Sequence, residues 1–150
     1  MTDKEAAYKV ISELVERFGE QYESYRQSGY NETQTRRDFI DPFFKALGWD
    51  IDNAQGYAES YREVIKEDKI RISGATKAPD YSFRIGGGKR LFFVEAKKPN
   101  VVIKDDIQPA YLIRRYGWNA KLSVSINTDF EELAIYDCTK KPNQIGRAHV

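Results

Sequence analysis

Pro79-Asp80-Tyr81-Ser82-Phe83-Arg84-Ile85-Gly86-Gly87-Gly88-Lys89-Arg90-Leu91-Phe92-Phe93-Val94-Glu95-Ala96-Lys97 decides how this chain is read. Its first seven residues alternate polar and apolar, three glycines turn the chain, and a β-rich run returns until Lys98-Pro99, where a ladder strand must stop. Side chains two apart in a strand share a face, so Glu95 and Lys97 project together while Phe92, Val94 and Ala96 point the other way. If the glycines close a hairpin, Asp80 at its start lies near Glu95 and Lys97 at its end. Charged groups ending an apolar strand are costly unless paired, hydrated or bound to an ion. Two carboxylates beside an ammonium form a hard-oxygen site suited to a divalent cation such as magnesium. The same three residues also fit a solvated strand edge. The proline before the aspartate, the β-rich second strand, the glycine turn and a helix-like segment downstream favour the site.

The totals bound the function. A chain of 150 residues is one domain with room for a real core. No apolar run approaches membrane-spanning length and no signal-peptide core opens the chain, so the expected compartment is the cytoplasm, with no membrane partner. The single cysteine, Cys138, excludes an internal disulfide and fits a reducing compartment. His149 is the only histidine, so neither a histidine mechanism nor a His/Cys zinc site is available. The net charge of +1 hides an asymmetry: residues 1–67 hold 9 Lys and Arg against 14 Asp and Glu, whereas residues 84–121 hold 9 against 3. Positive charge gathers around the hairpin and the segment after it, which suits a phosphate-bearing partner.

Outward from the hairpin, residues 2–27 carry a helical stripe (Ala7, Val10, Ile11, Leu14, Phe18, Tyr22) and read, within residues 1–28, as a packing helix. Asn31 caps a second helix with Gln34 at the capping-box position, Pro42 kinks or restarts it, and Gly48 ends it. Glu32 lies in its first turn, where a carboxylate suits the helix dipole and could also reach the metal. Residues 61–72 read as one or two strands and residues 73–77 as a loop. Asp105-Asp106 caps a third helix bearing Pro109 and ending at Gly117. Strands follow at 121–126 and 133–136, around a turn at 128–132. The order predicts an α/β domain, a central mixed β-sheet flanked by helices, over residues 1–144. Residues 145–150, Ile-Gly-Arg-Ala-His-Val, are what ATC-GGA-AGA-GCA-CAC-GTC encodes, part of a common sequencing-library adapter. They read as a non-native tail on a truncated frame.

Pro79-Asp80 with Glu95-Ala96-Lys97 resembles the motif of the PD-(D/E)XK nuclease superfamily, which implies a restriction-endonuclease-like core. Glu32-Thr33-Gln34-Thr35-Arg36, Leu47-Gly48-Trp49, Lys77-Ala78-Pro79-Asp80-Tyr81, Phe93-Val94-Glu95-Ala96-Lys97-Lys98-Pro99, Arg114-Arg115-Tyr116 and Asp129-Phe130-Glu131-Glu132 resemble the N-terminal cleavage domain of type IIG restriction-modification enzymes, with the type I restriction R-subunit N-terminal domain a near relative. The resemblance implies a metal-dependent endodeoxyribonuclease leaving 5′-phosphate and 3′-hydroxyl ends. Asp80, Glu95 and the Ala96 carbonyl would hold magnesium, or manganese in its place, with Glu32 as the helix-borne carboxylate. Lys97 would orient the attacking water. It also implies double-stranded DNA as partner, and methyltransferase and target-recognition regions in the full-length protein.

One departure stands out. The family carries Gln, three residues, then Tyr on the helix after the catalytic strand, and here Leu112 precedes Tyr116. Gln108, one turn earlier, shares that helical face. Lys89, Arg90, Lys98, Arg114, Arg115 and Tyr116 are the remaining DNA-contact candidates. Leu112 motivates a second expectation, a catalytically silent nuclease fold that binds DNA or docks. A purely structural α/β domain is the third.

Overall fold

The computed structural model describes residues 3–72, 74–103 and 107–142. The tail at 145–150 and the Asp105-Asp106 cap lie outside the described residues. Five strands form the central sheet in the order β1 (Val64–Lys66), β4 (Tyr81–Ile85), β5 (Lys89–Ala96), β6 (Val124–Thr128), β7 (Leu133–Asp137). Among the described strands only β5 and β6 run parallel, joined by the crossover helix α5 (Ile107–Asn119). A separate two-stranded ribbon pairs β2 (Ile70–Ile72) with β3 (Ala75–Lys77). The mixed sheet agrees with the expected class, whereas the expected loop at 73–77 instead contains β3.

Alternation along β5 splits the core. Phe93 faces α5 and joins Ile103, Ala110, Ile113, Ala134 and Tyr136. Val94 and Ala96 face the other layer, with Ile40, Phe44, Tyr81 and Phe83. Trp49 caps that layer edge-on against Phe83 (5.0 Å) and Phe92 (5.8 Å). A third cluster joins α1 (Asp3–Glu20), through Leu14 and Phe18, and α2 (Tyr22–Tyr25), through both tyrosines, to Phe39.

The second helix restarts at Pro42, as expected, and does so through a π turn. It starts as α3 (Glu32–Thr35), opens into a wide π turn over Arg36–Ile40, and tightens into α4 (Asp41–Ala46). Pro42 has no N–H to give to the Asp38 carbonyl one turn back. The Arg17 guanidinium of α1 donates to that carbonyl instead, tying the first helix to the irregularity. The Asn31–Gln34 capping box is present in both directions, at 2.8 and 2.9 Å.

α5 also runs further than the glycine suggested. Gly117 sits within the helix because a Cβ there would come within 2.5 Å of Cys138 Sγ and 2.6 Å of Ser125 Oγ. It permits close approach of helix to sheet. The helix runs to Asn119, and the chain leaves it through Lys121, in the left-handed region at φ 60°. There the Leu122 N–H donates to Gly117 O at 2.9 Å and the Lys121 N–H to Trp118 O at 3.1 Å. β6 consequently begins at Val124 rather than 121.

Candidate active site at the open end of the hairpin

A bulge sets the geometry. Ile85 pairs with Lys89 and Arg84 with Arg90, but Phe83 pairs with Phe92, leaving Leu91 as an extra residue on β5. Beyond it Tyr81 faces Val94, which carries Asp80 opposite Glu95. Directly opposed residues in antiparallel strands share a face. Were Leu91 paired with Phe83 instead of bulged, Glu95 would oppose Pro79 and project from the other face to Asp80.

Backbone hydrogen bonds complete the arrangement. The Asp80 N–H donates to Glu95 Oε1 at 2.9 Å, and the Ala96 N–H donates to Asp80 Oδ2 at 2.8 Å. Lys97 N–H turns the other way, to Thr128 O on β6 at 2.9 Å. The Ala96 carbonyl therefore looks toward the β4 side, where the residue next in line, Pro79, has no N–H to offer.

The capped helix supplies two more charges. Arg36 Nη1 donates to Asp80 Oδ1 at 2.8 Å, and Glu32 Oε1 lies 3.8 Å from Lys97 Nζ. Thus Asp80, Glu95 and Lys97 come together at one sheet end, and Glu32 reaches the same end from the helix. Burial and the adjoining Asp80 carboxylate push the Glu95 carboxyl up to about 7; the Asp80 N–H and Lys97 oppose the rise and Glu32 adds to it. Tyr116, half-buried on α5, has its phenol pushed up by burial and by the same two carboxylates, so it faces the site.

The basic candidates divide. Lys98 is half-buried just past the site. Arg115 is half-buried on α5, next to Tyr116. Arg114 is only 6% exposed and its Nε donates to Ala110 O, so it braces α5 instead of presenting a surface cation. Arg90 grips Asp68 through two hydrogen bonds, 2.7 and 3.1 Å, and the exposed Lys89 sits beside it. Both lie at the turn end of β5; Lys89 is six residues, roughly 20 Å, from Glu95. Leu112 is exposed on α5. Gln108 falls in the first turn of α5, but its side chain is outside the described residues.

Sequence reasoning gave no role to Arg36, although it stands one turn after Glu32 and so on the same helix face. It also missed two buried polar residues on β6 and its turn. Asn127, paired with Glu95 across the parallel strands, is fully buried and neither amide atom has a hydrogen-bond partner among the described residues. Asp129 is fully buried too, with Oδ1 accepting from the Glu132 N–H at 2.8 Å and Oδ2 without a partner among the described residues, and burial pushes its carboxyl up to about 7. After it, Phe130 turns through φ 75° to pack on Phe39 at 4.9 Å, and Glu131 accepts from Tyr22 and pairs with Arg26 at 3.0 Å.

The donor chemistry fits a small hard cation. Among the described residues no three His, Cys, Asp or Glu side chains are grouped to hold a metal. Magnesium does not need such a cage, since it keeps several waters and takes one or two carboxylates together with substrate phosphates. Asp80 and Glu95 meet that need, and a cation between them would relieve the repulsion that raises Glu95.

Residues 29–144 match the family described as type I restriction enzyme R protein N terminus. The chain is similar to the type II restriction enzyme and methyltransferase RM.Eco57I of Escherichia coli, 47% identical over 133 residues, covering 87% of this chain and 13% of that protein. The chain therefore spans about an eighth of the length of the curated relative it matches. No solved structure matches it significantly. No helix among the described residues is long and apolar enough to cross a membrane.

Proposed function

The chain belongs to the type I restriction enzyme R protein N-terminal family, and from that premise we propose that it is the magnesium-dependent DNA-cleaving domain of a type IIG-like restriction-modification enzyme, of the PD-(D/E)XK kind. One observation carries the reading: Asp80, Glu95 and Lys97 share one sheet end, with the Glu95 carboxyl pushed up to about 7 by burial and by its carboxylate neighbour. Asp80 and Glu95, with the Ala96 carbonyl and with Glu32 from the helix, would hold the ion. When bound, that ion supplies charge stabilisation to the phosphate and lowers the cost of deprotonating water. Lys97 positions the attacking water and offsets charge on the phosphoryl oxygens. Water adds across the P–O3′ bond, leaving a 5′-phosphate and a 3′-hydroxyl. Lys98, Arg115 and Tyr116 line the approach to this end and would steady the duplex through its backbone, without reading sequence. Choice of target would reside in the rest of the full-length protein, beside its methyltransferase. Manganese would substitute for magnesium.

Incubation of the purified chain with supercoiled plasmid and 5 to 10 mM magnesium (about the range that saturates weak carboxylate sites) tests the assignment. Nicking or cutting that disappears in Asp80→Ala and Lys97→Ala supports it; equal activity in all three overturns it.

A second reading rests on two specific features. Arg36 occupies Asp80, and Leu112 stands exposed on α5. A DNA-binding module without cleavage would show salt-dependent duplex binding, unaffected by Glu95→Ala, and no magnesium-dependent product.

A further inference from the structure

Two ion pairs of opposite polarity join the capped helix to the hairpin. Glu32 of the helix faces Lys97 of the hairpin, and Arg36 of the helix faces Asp80. The second pair has a peculiar consequence. Asp80 Oδ2 already accepts from the backbone Ala96 N–H at 2.8 Å, which makes Oδ1, whose partner is a side chain that can move, the oxygen better placed to meet an ion; Oδ1 is where Arg36 Nη1 sits at 2.8 Å. A guanidinium and a divalent cation at one carboxylate oxygen repel each other and compete for it.

We propose that Arg36 exchanges partners: it holds Asp80 Oδ1 until a divalent ion takes that oxygen, and its guanidinium then serves the phosphate that the ion carries. This rests on the nuclease reading above and deepens it, assigning the site a phosphate-positioning cation besides Lys97.

Three observations support the exchange. First, the pair is only half-buried, with side chains 22% and 16% exposed, so water can reach both groups as they part. Desolvation offsets much of the attraction in such a pair, which makes it replaceable at small net cost. Second, Arg36 has another anchor: Nη2 donates to Thr33 Oγ1 at 3.3 Å, so the guanidinium stays at the site when Asp80 is lost to it. Third, Arg36 opens the π turn, a helix irregularity that recurs where side chains are aimed at function. The planar guanidinium fork matches a phosphate as well as it matches a carboxylate.

The test uses two readouts besides cleavage. Manganese binding is titrated by calorimetry for the wild-type chain, Arg36→Ala, Arg36→Lys and Asp80→Ala. Duplex binding is measured with calcium replacing magnesium, so that no product forms. Removing the competitor should tighten manganese binding to Arg36→Ala about tenfold, the scale of one charge-assisted hydrogen bond. The same variant should bind the calcium-loaded duplex more weakly and cut about 100-fold more slowly at saturating manganese. Arg36→Lys keeps the charge without the fork and should fall between the two in cleavage, with manganese affinity within a few-fold of wild type. A purely structural role for Arg36 would never strengthen metal binding. Unchanged or weaker manganese affinity in Arg36→Ala overturns the exchange. If a thermal scan shows that variant unfolded, Arg36→Lys decides, and wild-type cleavage by it overturns the proposal. Wild-type manganese binding that Asp80→Ala leaves intact would instead overturn the nuclease reading and this proposal together.

Discussion

Replacing Glu95 by Gln separates what this carboxylate costs the fold from what it does for chemistry. Gln keeps the shape and keeps an Oε1 to accept the Asp80 N–H, but it cannot carry charge beside Asp80. The rise of the Glu95 carboxyl from an ordinary 4.5 to about 7 corresponds to roughly 3 kcal/mol, of which solvent screening at a half-buried side chain leaves about 2. The sign follows from linkage. The folded chain holds this proton more tightly than the unfolded chain, so stability falls as pH rises from about 4.5 to about 7 and is level above. Glu95→Gln escapes that loss. At pH 8 it should be more stable than wild type by about 2 kcal/mol, a rise in Tm of about 4–8 °C for a chain of this size. Near pH 4.5 the two should melt together. Asp129, also raised to about 7, makes both proteins lose some stability over the same window, so the variant flattens the profile without levelling it. Magnesium should raise the wild-type Tm at pH 8 and leave Glu95→Gln nearly unmoved, and cleavage should vanish in the variant. The assay is thermal unfolding by circular dichroism across pH, with and without 10 mM magnesium (about 100 times a 0.1 mM dissociation constant, worth roughly 2.7 kcal/mol). A variant no more stable than wild type at pH 8, with an unchanged pH slope, would refute the placement of Glu95 against Asp80.

Three further outcomes are expected. Lys97→Ala should lower cleavage by about 10²–10⁴-fold, the range for loss of a positioned acid–base or electrostatic group, while the melting temperature changes little; plasmid nicking measures the first and calorimetry the second. Gly117→Ala should destabilise by about 1–3 kcal/mol, since its Cβ would press on Cys138 and Ser125, and urea unfolding reads the loss. Asn127→Leu should raise stability by about 1–3 kcal/mol by removing a buried amide that has no partner among the described residues, and the same urea experiment reads the gain.

The hairpin was legible because its signals are local: alternation, a glycine turn and a terminal proline. The capping box was legible for the same reason, needing only Asn31 and Gln34. What escaped depends on tertiary contacts. Gly117 reads as a stop, yet it lies mid-helix because Cys138 and Ser125 press against it from strands distant in sequence. β3 is three residues held by pairing with β2, too short to carry a period of its own. Arg114 and Arg115 are indistinguishable as letters, but consecutive helix positions point about 100° apart, and only one is turned inward. Charge at Arg36 was visible; that it reaches Asp80 depends on where the helix is laid across the sheet.

Leu91 has a consequence for how length may vary here. The distance along the chain between the aspartate and the glutamate looks like free spacing, since a glycine turn joins them. It is constrained by parity. Residues added at the tip lengthen an exposed loop and leave both carboxylates where they are. A single residue gained or lost at the paired positions of either strand would send one carboxylate through to the apolar layer around Phe83 and Val94, so viable length changes there must come in twos or be absorbed by a bulge, as Leu91 is.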